Sequence, residues 1–411
     1  MQATTRSKET QFEAESRKVA NFPDVEESLT KRFAKTEMTY LDKITSLLGA
    51  RNPFKKKANS QDNEVWLLNN TAHRPIDKST GKPGPWQAEF VAAFFVNGRA
   101  DINSAVADIL DTIGLDGNIG EDPGVRQIIE ERLRPFVQQI APARTVDITI
   151  PTPDATQGGS HVRTLGPSDG NGISSQDLMT GGRDDSDGKT VACTSTSFPN
   201  LKNQLRFAGP DGWAIISDID DTVKRTMTPD PLGVLKSTFI EPTQVIGGMP
   251  ELYKTLHAQF NNPAWFYLSA SPYNLYPFLH SFLSQHFPAG TIILRDSSWM
   301  FFAGLLQSLT EGVQEYKTDR LEKIHSWLPR RKVICIGDST QSDPESYAAI
   351  YKKYPDWIKA IYIRKVTDAP FMERKNEDKR FDDAFKDVPG SVWKVFVQPA
   401  ELEAAVRALQ G

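Results

Sequence analysis

Residues 213–222 read Trp-Ala-Ile-Ile-Ser-Asp-Ile-Asp-Asp-Thr, a short apolar run that ends in a cluster of acidic residues. An apolar run of this length between polar residues predicts a buried strand. Four similar runs follow, with helical patterns between several of them, at residues 265–268, 291–294, 332–336 and 360–363. This alternation predicts an α/β fold, a Rossmann-like, doubly wound parallel sheet with helices on both faces.

Polar residues follow these predicted strands, at the end of the sheet where α/β proteins bind ligands. Asp218 and Asp220 come after the first strand and Ser269 after the second. Asp338 follows the fourth strand, and Lys317 opens a predicted helix. We therefore expect these side chains to meet in one site.

The residue types at this site suit phosphoryl transfer. Asp218 is expected to be ionised at neutral pH, since a free Asp has a pKa of about 3.9, and a carboxylate can attack phosphorus to form an acyl-phosphate. Like charge opposes that attack, and Mg²⁺ bound to carboxylates would remove the repulsion. Asp218 and Asp338 are the natural ligands. Lys317 adds positive charge, and Ser269 can donate a hydrogen bond to a phosphoryl oxygen.

Asp220 lies two residues after Asp218, so in an extended chain both side chains point to the same side. It is a candidate acid and base that protonates the leaving oxygen and then activates water. Each residue also has a simpler interpretation, because Asp, Ser and Thr are common in turns and helix caps. Asp221 and Ser271 stay ambiguous, and Asp221 is better explained as a turn residue or as a neighbour of the site.

The four polar clusters, in this order, resemble those of the haloacid-dehalogenase superfamily over about residues 210–365. The resemblance implies a haloacid-dehalogenase-type domain. It also implies that Asp218 is nucleophile and metal ligand and that Asp220 is the acid and base, with its backbone carbonyl on Mg²⁺. It further implies that Ser269 supplies the hydroxyl group and Lys317 the cation of the superfamily's second and third motifs. Asp338 and Asp343 would be the acidic residues of the metal site.

A narrower resemblance is to the fungal actin-patch-associated phosphatidate phosphatase family. It is carried by the strings at 217–224, 267–273 and 336–345, and upstream by those at 65–72 and 86–93. It implies hydrolysis of phosphatidate to diacylglycerol and phosphate at a membrane surface. It also implies a cytoplasmic, peripheral-membrane or cortical actin-patch location, with endocytic or actin-patch proteins as partners. The chain has Asp221 where lipin-type phosphatases have Gly, and it lacks a long Pro-rich C-terminal tail, which weakens the actin-patch expectation.

The chain is expected to contain three parts. Residues 1–60 are an N-terminal arm. Its first part, residues 1 to about 35, is a mobile arm or a peripheral helix, and an amphipathic helix (Leu41, Ile44, Leu47 and Leu48) and a basic tail (Arg51 and Lys55–Lys57) follow. Residues 61–205 form a mainly β domain in which the Gly-, Ser- and Asp-rich stretch 151–188 is a long loop. Residues 206–411 form the catalytic domain.

Composition excludes several classes of protein. The 411 residues carry a formal net charge of −4, which argues against bulk attraction to nucleic acid. Cys193 and Cys335 are far apart in sequence, so a disulfide framework is not expected and a reducing compartment fits. The N-terminus lacks a secretory pattern. No apolar run approaches the roughly 20 residues that a membrane span needs.

Two other functions stay open. One is a phosphatase of soluble phosphoesters or phosphoproteins. The other is a non-catalytic endocytic or actin adaptor, for which Asn52-Pro53-Phe54 matches a short peptide recognised by endocytic domains. For membrane contact, the 41–57 segment is a candidate two-signal anchor. The apolar stretch 298–306 is either a core segment or a segment that dips into lipid.

Overall fold

The structure, a computed structural model, describes residues 8–32, 55–98, 102–113, 122–153, 159–201, 203–296 and 302–409. The N-terminal half begins with two helices and continues with short strands and two further helices. Its elements are α1 (Gln11–Val19), α2 (Phe22–Arg32), β1 (Lys56–Lys57), β2 (Asn63–Leu67), β3 (Asn70–Ala72), β4 (Gln87–Val96), α3 (Ile102–Ile113), α4 (Pro123–Val137), β5 (Arg144–Pro151), β6 (Ser160–Leu165), β7 (Ile173–Met179), β8 (Thr190–Val191) and β9 (Leu205–Phe207).

The C-terminal half alternates strands and helices. Its elements are β10 (Trp213–Asp218), α5 (Pro231–Phe239), α6 (Met249–Gln259), β11 (Ala264–Pro272), α7 (Tyr276–His286), β12 (Thr291–Arg295), α8 (Phe302–Thr310), α9 (Val313–Trp327), β13 (Lys332–Asp338), α10 (Asp343–Lys353), β14 (Ile358–Arg364), α11 (Asp378–Phe385), β15 (Trp393–Phe396) and α12 (Glu403–Ala408). Within the described ranges, no helix combines the length and the apolar character that crossing a membrane requires.

The C-terminal half is built on a six-stranded sheet of order β12-β11-β10-β13-β14-β15, in which every neighbouring pair is parallel. Alternate residues of β10 face opposite sides: Ile215 belongs to one core with α6 and α7, and Ile216 to another with α9 and α10. Helices therefore cover both faces, which confirms the predicted α/β arrangement. All five predicted strands are present, and β15 is an addition.

The region between β1 and β9 contains three sheets of three strands, β1-β5-β6, β2-β4-β7 and β3-β9-β8. These strands lie in the region that the sequence predicts to be mainly β. The prediction of a long loop over 151–188 is wrong, because β6 and β7 lie within it. β6 pairs antiparallel with β5, and four of its six residues are polar, so it offers no apolar run that a sequence pattern would detect.

Most of the predicted anchor, including Leu41, Ile44, Leu47, Leu48 and Arg51, lies outside the described residues, as do Asn52-Pro53-Phe54 and residues 298–301. Lys55, Lys56 and Lys57 are described and exposed. Lys56 and Lys57 form β1, which pairs in parallel with β5. The Nζ of Lys57 lies 2.7 Å from Asp147 Oδ2. Lys56 and Lys57 therefore belong to the edge strand of a sheet, whereas the sequence predicted that they are part of a basic tail.

The loop that follows β10 is organised by the buried carboxylate of Asp221. One oxygen accepts hydrogen bonds from the backbone N–H groups of Thr226 and Met227, both at 2.8 Å. The other accepts from the N–H and the hydroxyl of Thr228, at 2.7 and 2.6 Å. Asp221 has a φ of 61°, in the left-handed region that glycine adopts without strain. Asp221 thus shapes the loop beside the site, as one of its two sequence interpretations predicted.

We predict that Asp221→Ala lowers the free energy of unfolding by about 2–4 kcal/mol, because it leaves the backbone N–H groups of Thr226, Met227 and Thr228 without their acceptor. Urea denaturation measures the change. Asp356→Ala is the matched control, since Asp356 is exposed, and its effect should stay within about 0.5 kcal/mol. Equal stability of the Asp221 variant and the parent would show that the loop does not depend on this carboxylate.

Candidate active site

Neighbouring parallel strands bring the predicted site residues to one edge of the sheet. Asp218 is the last residue of β10 and Asp338 the last of β13, and these two strands pair directly. Ser269 lies in β11, on the other side of β10. Asp343 begins α10. Lys317 lies in the second turn of α9, so the prediction that it opens a helix was wrong by about one turn.

Lys317 is the centre of this cluster. Its Nζ lies 2.7 Å from Asp218 Oδ1 and also contacts Asp343 Oδ1. A third hydrogen bond goes to Gln341 Oε1 at 3.0 Å. Burial alone would lower the pKa of Lys317, but the negative charges of Asp218 and Asp343 outweigh it and raise the pKa above its ordinary value. Lys317 therefore stays protonated.

Three buried carboxylates share this single cation. Asp218, Asp338 and Asp343 each offer an oxygen, and these atoms all lie within 4.8 Å of one another. Burial raises the pKa of Asp218 well above its usual range, and the charges of Asp343, Asp338 and Asp220 add to the effect while Lys317 opposes it. Burial and Asp343 likewise raise the pKa of Asp338. An excess of buried negative charge presented by oxygen donors fits a hard divalent cation.

Thr222 and Gly337 complete the cluster, and the sequence had given neither a role. The hydroxyl of Thr222 lies 3.0 Å from Asp218 Oδ2 and 3.1 Å from Asp338 Oδ2, so it bridges the two strand ends. At Gly337, a Cβ atom would come within 2.7 Å of Asp343 Cγ. Only glycine leaves room there for Asp343 Oδ2 to accept the backbone N–H of Asp338, at 3.0 Å.

Asp220 lies apart from the carboxylate cluster in a pocket of hydroxyl groups. Its Oδ2 accepts hydrogen bonds from Ser269 Oγ at 2.5 Å and Ser271 Oγ at 3.3 Å. Its Oδ1 accepts from Thr226 Oγ1 at 2.8 Å, and that hydroxyl in turn accepts from Lys224 Nζ at 2.9 Å. The ambiguous Ser271 is thus a partner of Asp220. Thr226 and Lys224 were not singled out, because nothing in their sequence spacing marks them.

Ser269 lies at the site, and its predicted hydrogen bond to a phosphoryl oxygen stays a prediction. Its hydroxyl donates to Asp220 and accepts the backbone N–H of Ser271 at 2.9 Å. The side chain therefore also orients the Asp220 carboxyl group.

The arrangement offers two carboxylates in chemically different surroundings. Asp218 is adjacent to a cation and to two other acids, whereas Asp220 is surrounded by hydroxyl groups. Both are buried at the end of β10. Two acidic groups in such different surroundings suit the separate roles of a nucleophile and a proton carrier in a two-step transfer.

Comparison with known proteins covers the same part of the chain. Residues 213–365 match the family described as phosphatidate phosphatase APP1, catalytic domain. The chain is 35% identical over 173 residues to phosphatidate phosphatase APP1 of Saccharomyces cerevisiae, covering 41% of this chain and 28% of that protein. It is 34% identical over 161 residues to an uncharacterized protein of Schizosaccharomyces pombe, covering 38% and 26%. The chain thus spans less than a third of the length of these relatives. The carboxylate cluster lies within the residues that match the family.

Proposed function

We propose that this chain is a Mg²⁺-dependent phosphatidate phosphatase of haloacid-dehalogenase type, which releases diacylglycerol and phosphate through an aspartyl-phosphate. The observation that carries the proposal is the buried group of Asp218, Asp338 and Asp343 around Lys317. It lies within the stretch that matches a phosphatidate phosphatase catalytic domain.

In the first step, the carboxylate of Asp218 attacks phosphorus. An O–P bond to Asp218 forms while the bond from phosphorus to the glyceride oxygen breaks. Asp220 gives its proton to that leaving oxygen, so diacylglycerol departs neutral. Lys317 and the hydroxyl of Thr222 hold the Asp218 carboxyl group in place from its two oxygens.

In the second step, Asp220 takes a proton from water. The water oxygen bonds to phosphorus and the bond to Asp218 breaks, which regenerates the carboxylate and frees phosphate. Asp218, Asp338 and Asp343 would hold Mg²⁺, together with the backbone carbonyl of Asp220. When bound, the ion supplies the positive charge that offsets the repulsion between carboxylate and phosphate.

The substrate assignment rests on the match of residues 213–365 to the phosphatidate phosphatase catalytic domain. It rests also on the resemblance of the strings at 65–72 and 86–93 to the same family. We infer that the enzyme acts as a peripheral protein at a phospholipid surface. Actin-patch or endocytic partners, implied by the same resemblance, are part of the proposal. A phosphatase of soluble phosphoesters would use the same carboxylates, so substrate comparison is needed to separate the two.

We expect phosphatidate in mixed micelles to be hydrolysed with a higher kcat/KM than soluble phosphoesters or phosphopeptides. Phosphate release over a substrate panel measures this preference. Faster turnover of a soluble ester would replace the lipid assignment but keep the mechanism. No phosphate release from any substrate would favour the adaptor function.

Asp218→Asn should lower phosphatidate hydrolysis by about a thousandfold or more, because an amide oxygen is a poor nucleophile towards phosphorus. Asp319→Asn is the matched control, since Asp319 is exposed on α9 two residues from Lys317. Circular dichroism checks that both variants fold. Near-parental rates for Asp218→Asn would exclude the covalent mechanism.

Chelation by EDTA should abolish activity, and Mg²⁺ should restore it. Independently of activity, Mg²⁺ should raise the unfolding temperature of the parent, since a ligand that binds the native state stabilises it. The increase should be smaller in Asp338→Asn and unchanged in Asp319→Asn. Equal increases in all three proteins would place the ion elsewhere.

A further inference from the structure

The carboxylates of the site are fully buried, and a cavity lined by α1 lies beside them. This cavity, called here the entrance cavity, has a volume of about 70 Å³, and its other lining residues include Thr228, residues 340–342, Phe371, Arg374 and Lys375. Its floor directly contacts the site: the N–H of Thr340 donates to Asp338 Oδ1 at 2.5 Å, and Gln341 Oε1 accepts from Lys317. One layer of residues therefore separates the entrance cavity from the carboxylates.

Two exposed apolar side chains stand at the mouth of the entrance cavity. Val19, at the end of α1, is 69% exposed, and Phe371, on the facing segment, is 41% exposed. Among the residues that the structure describes, the other large apolar side chains with comparable exposure are Val162, Met179 and Val397, and none of these lines this cavity. An apolar pair at the opening that leads to a buried site suggests a contact with something apolar outside.

The backbone at Phe371 supports a functional reason for its exposure. Its φ is 58°, in the left-handed region that a bulky residue seldom adopts. Phe371 is still 41% exposed in this conformation, so complete burial of its ring does not explain the strain. Backbone outliers of this type are concentrated at functional sites, where the surrounding structure maintains them.

Cationic groups lie beside this apolar pair. Arg374 is paired with Glu15 of α1, and the two side chains are 57% and 38% exposed. Such an exposed pair contributes little stability, so Arg374 can exchange Glu15 for another anion. Lys375 lines the cavity, and its Nζ donates to the carbonyl oxygen of Thr340. Within the described part of the chain no carboxylate lies within ion-pair distance of it, and burial lowers its pKa to about 8.

We propose that Val19, Phe371 and Arg374, called here the rim, dock on the surface of an anionic phospholipid bilayer. The inference rests on the proposed function, for which it supplies the surface that meets the lipid. Apolar side chains that enter the boundary between headgroups and acyl chains, next to cations that meet lipid phosphates, are the features of a peripheral membrane contact. The rim places that contact over the entrance cavity, which one layer of residues separates from the carboxylates.

Sedimentation with vesicles tests the rim. The vesicles contain phosphatidylcholine and phosphatidylserine, an anionic lipid that is not the proposed substrate. The test protein is the full chain carrying Val19→Ser and Phe371→Asn, since Asn tolerates a positive φ. The matched control carries Val162→Ser and Met179→Asn, which remove side chains of similar exposure, 62% and 42%, from the β region. Thermal unfolding verifies that both proteins are folded.

We expect the rim variant to bind these vesicles about tenfold or more weakly than the parent, because two apolar side chains no longer enter the lipid. The control should bind like the parent. Arg374→Gln should weaken binding at low salt and have a smaller effect at high salt. Absence of parental binding, equal binding by the rim variant and the parent, or an equal loss in the control would each overturn the proposal.

This measurement is separate from the proposed activity, because sedimentation does not depend on turnover. A parent protein that binds through the rim but releases no phosphate from phosphatidate would retain the docking surface and exclude the lipid phosphatase. A protein that hydrolyses phosphatidate in micelles but shows no loss of vesicle binding in the rim variant would retain the enzyme and exclude the rim.

Discussion

The site depends on one buried interaction, the contact of Lys317 with Asp218 and Asp343. Removing a carboxylate from water is costly unless a partner compensates its charge. One ammonium group cannot compensate three carboxylates, and burial together with mutual repulsion raises the pKa values of Asp218 and Asp338. Lys317 therefore lowers the cost of burying the three carboxylates but does not cancel their negative charge. A site in this condition favours the binding of a further cation, and this is the physical basis for expecting a metal there.

Three features of the fold bring these charged groups together. Pairing of β10 with β13 places Asp218 and Asp338 side by side, and Thr222 bridges them. The absence of a side chain at Gly337 lets the start of α10 approach the end of β13. Helix α9 then delivers Lys317 from the same face as α10. The contacts of Lys317 with Asp218 and of Thr222 with Asp338 join residues 99 and 116 positions apart, yet they follow from strand order and from the carboxyl ends of the strands meeting at one edge.

The sequence predicted the parts of this arrangement that depend on local pattern. Five apolar runs identified five strands, and the polar residues after them were expected to meet, as Asp218, Asp338 and Asp343 do. It did not predict contacts that depend on orientation. The hydrogen bonds that Ser269 and Ser271 donate to Asp220 were not among its predictions. β6 escaped detection because its residues are largely polar. The spacing of apolar residues along a sequence indicates which residues are buried. It therefore does not identify a strand made largely of polar residues, and it does not identify hydrogen bonds between polar side chains.

The contacts of the N-terminal helices were also not predicted from the sequence, and they join residues that are far apart in the chain. For residues 1 to about 35 the sequence offered a mobile arm or a peripheral helix, and the described part forms α1 and α2. Glu13 of α1 accepts hydrogen bonds from the N–H of Gln314, at 2.9 Å, and from the hydroxyl of Ser342, also at 2.9 Å. These residues stand at the N-terminal ends of α9 and α10, where a carboxylate is favoured by the helix dipole. Because α9 carries Lys317 and α10 carries Asp343, one acidic side chain from the start of the chain connects the two helices whose charges the site requires. Helix α1 therefore lines the entrance cavity and also joins the two helices that carry Lys317 and Asp343, so a substitution at Glu13 would act on the site although Glu13 lies about 300 residues before it.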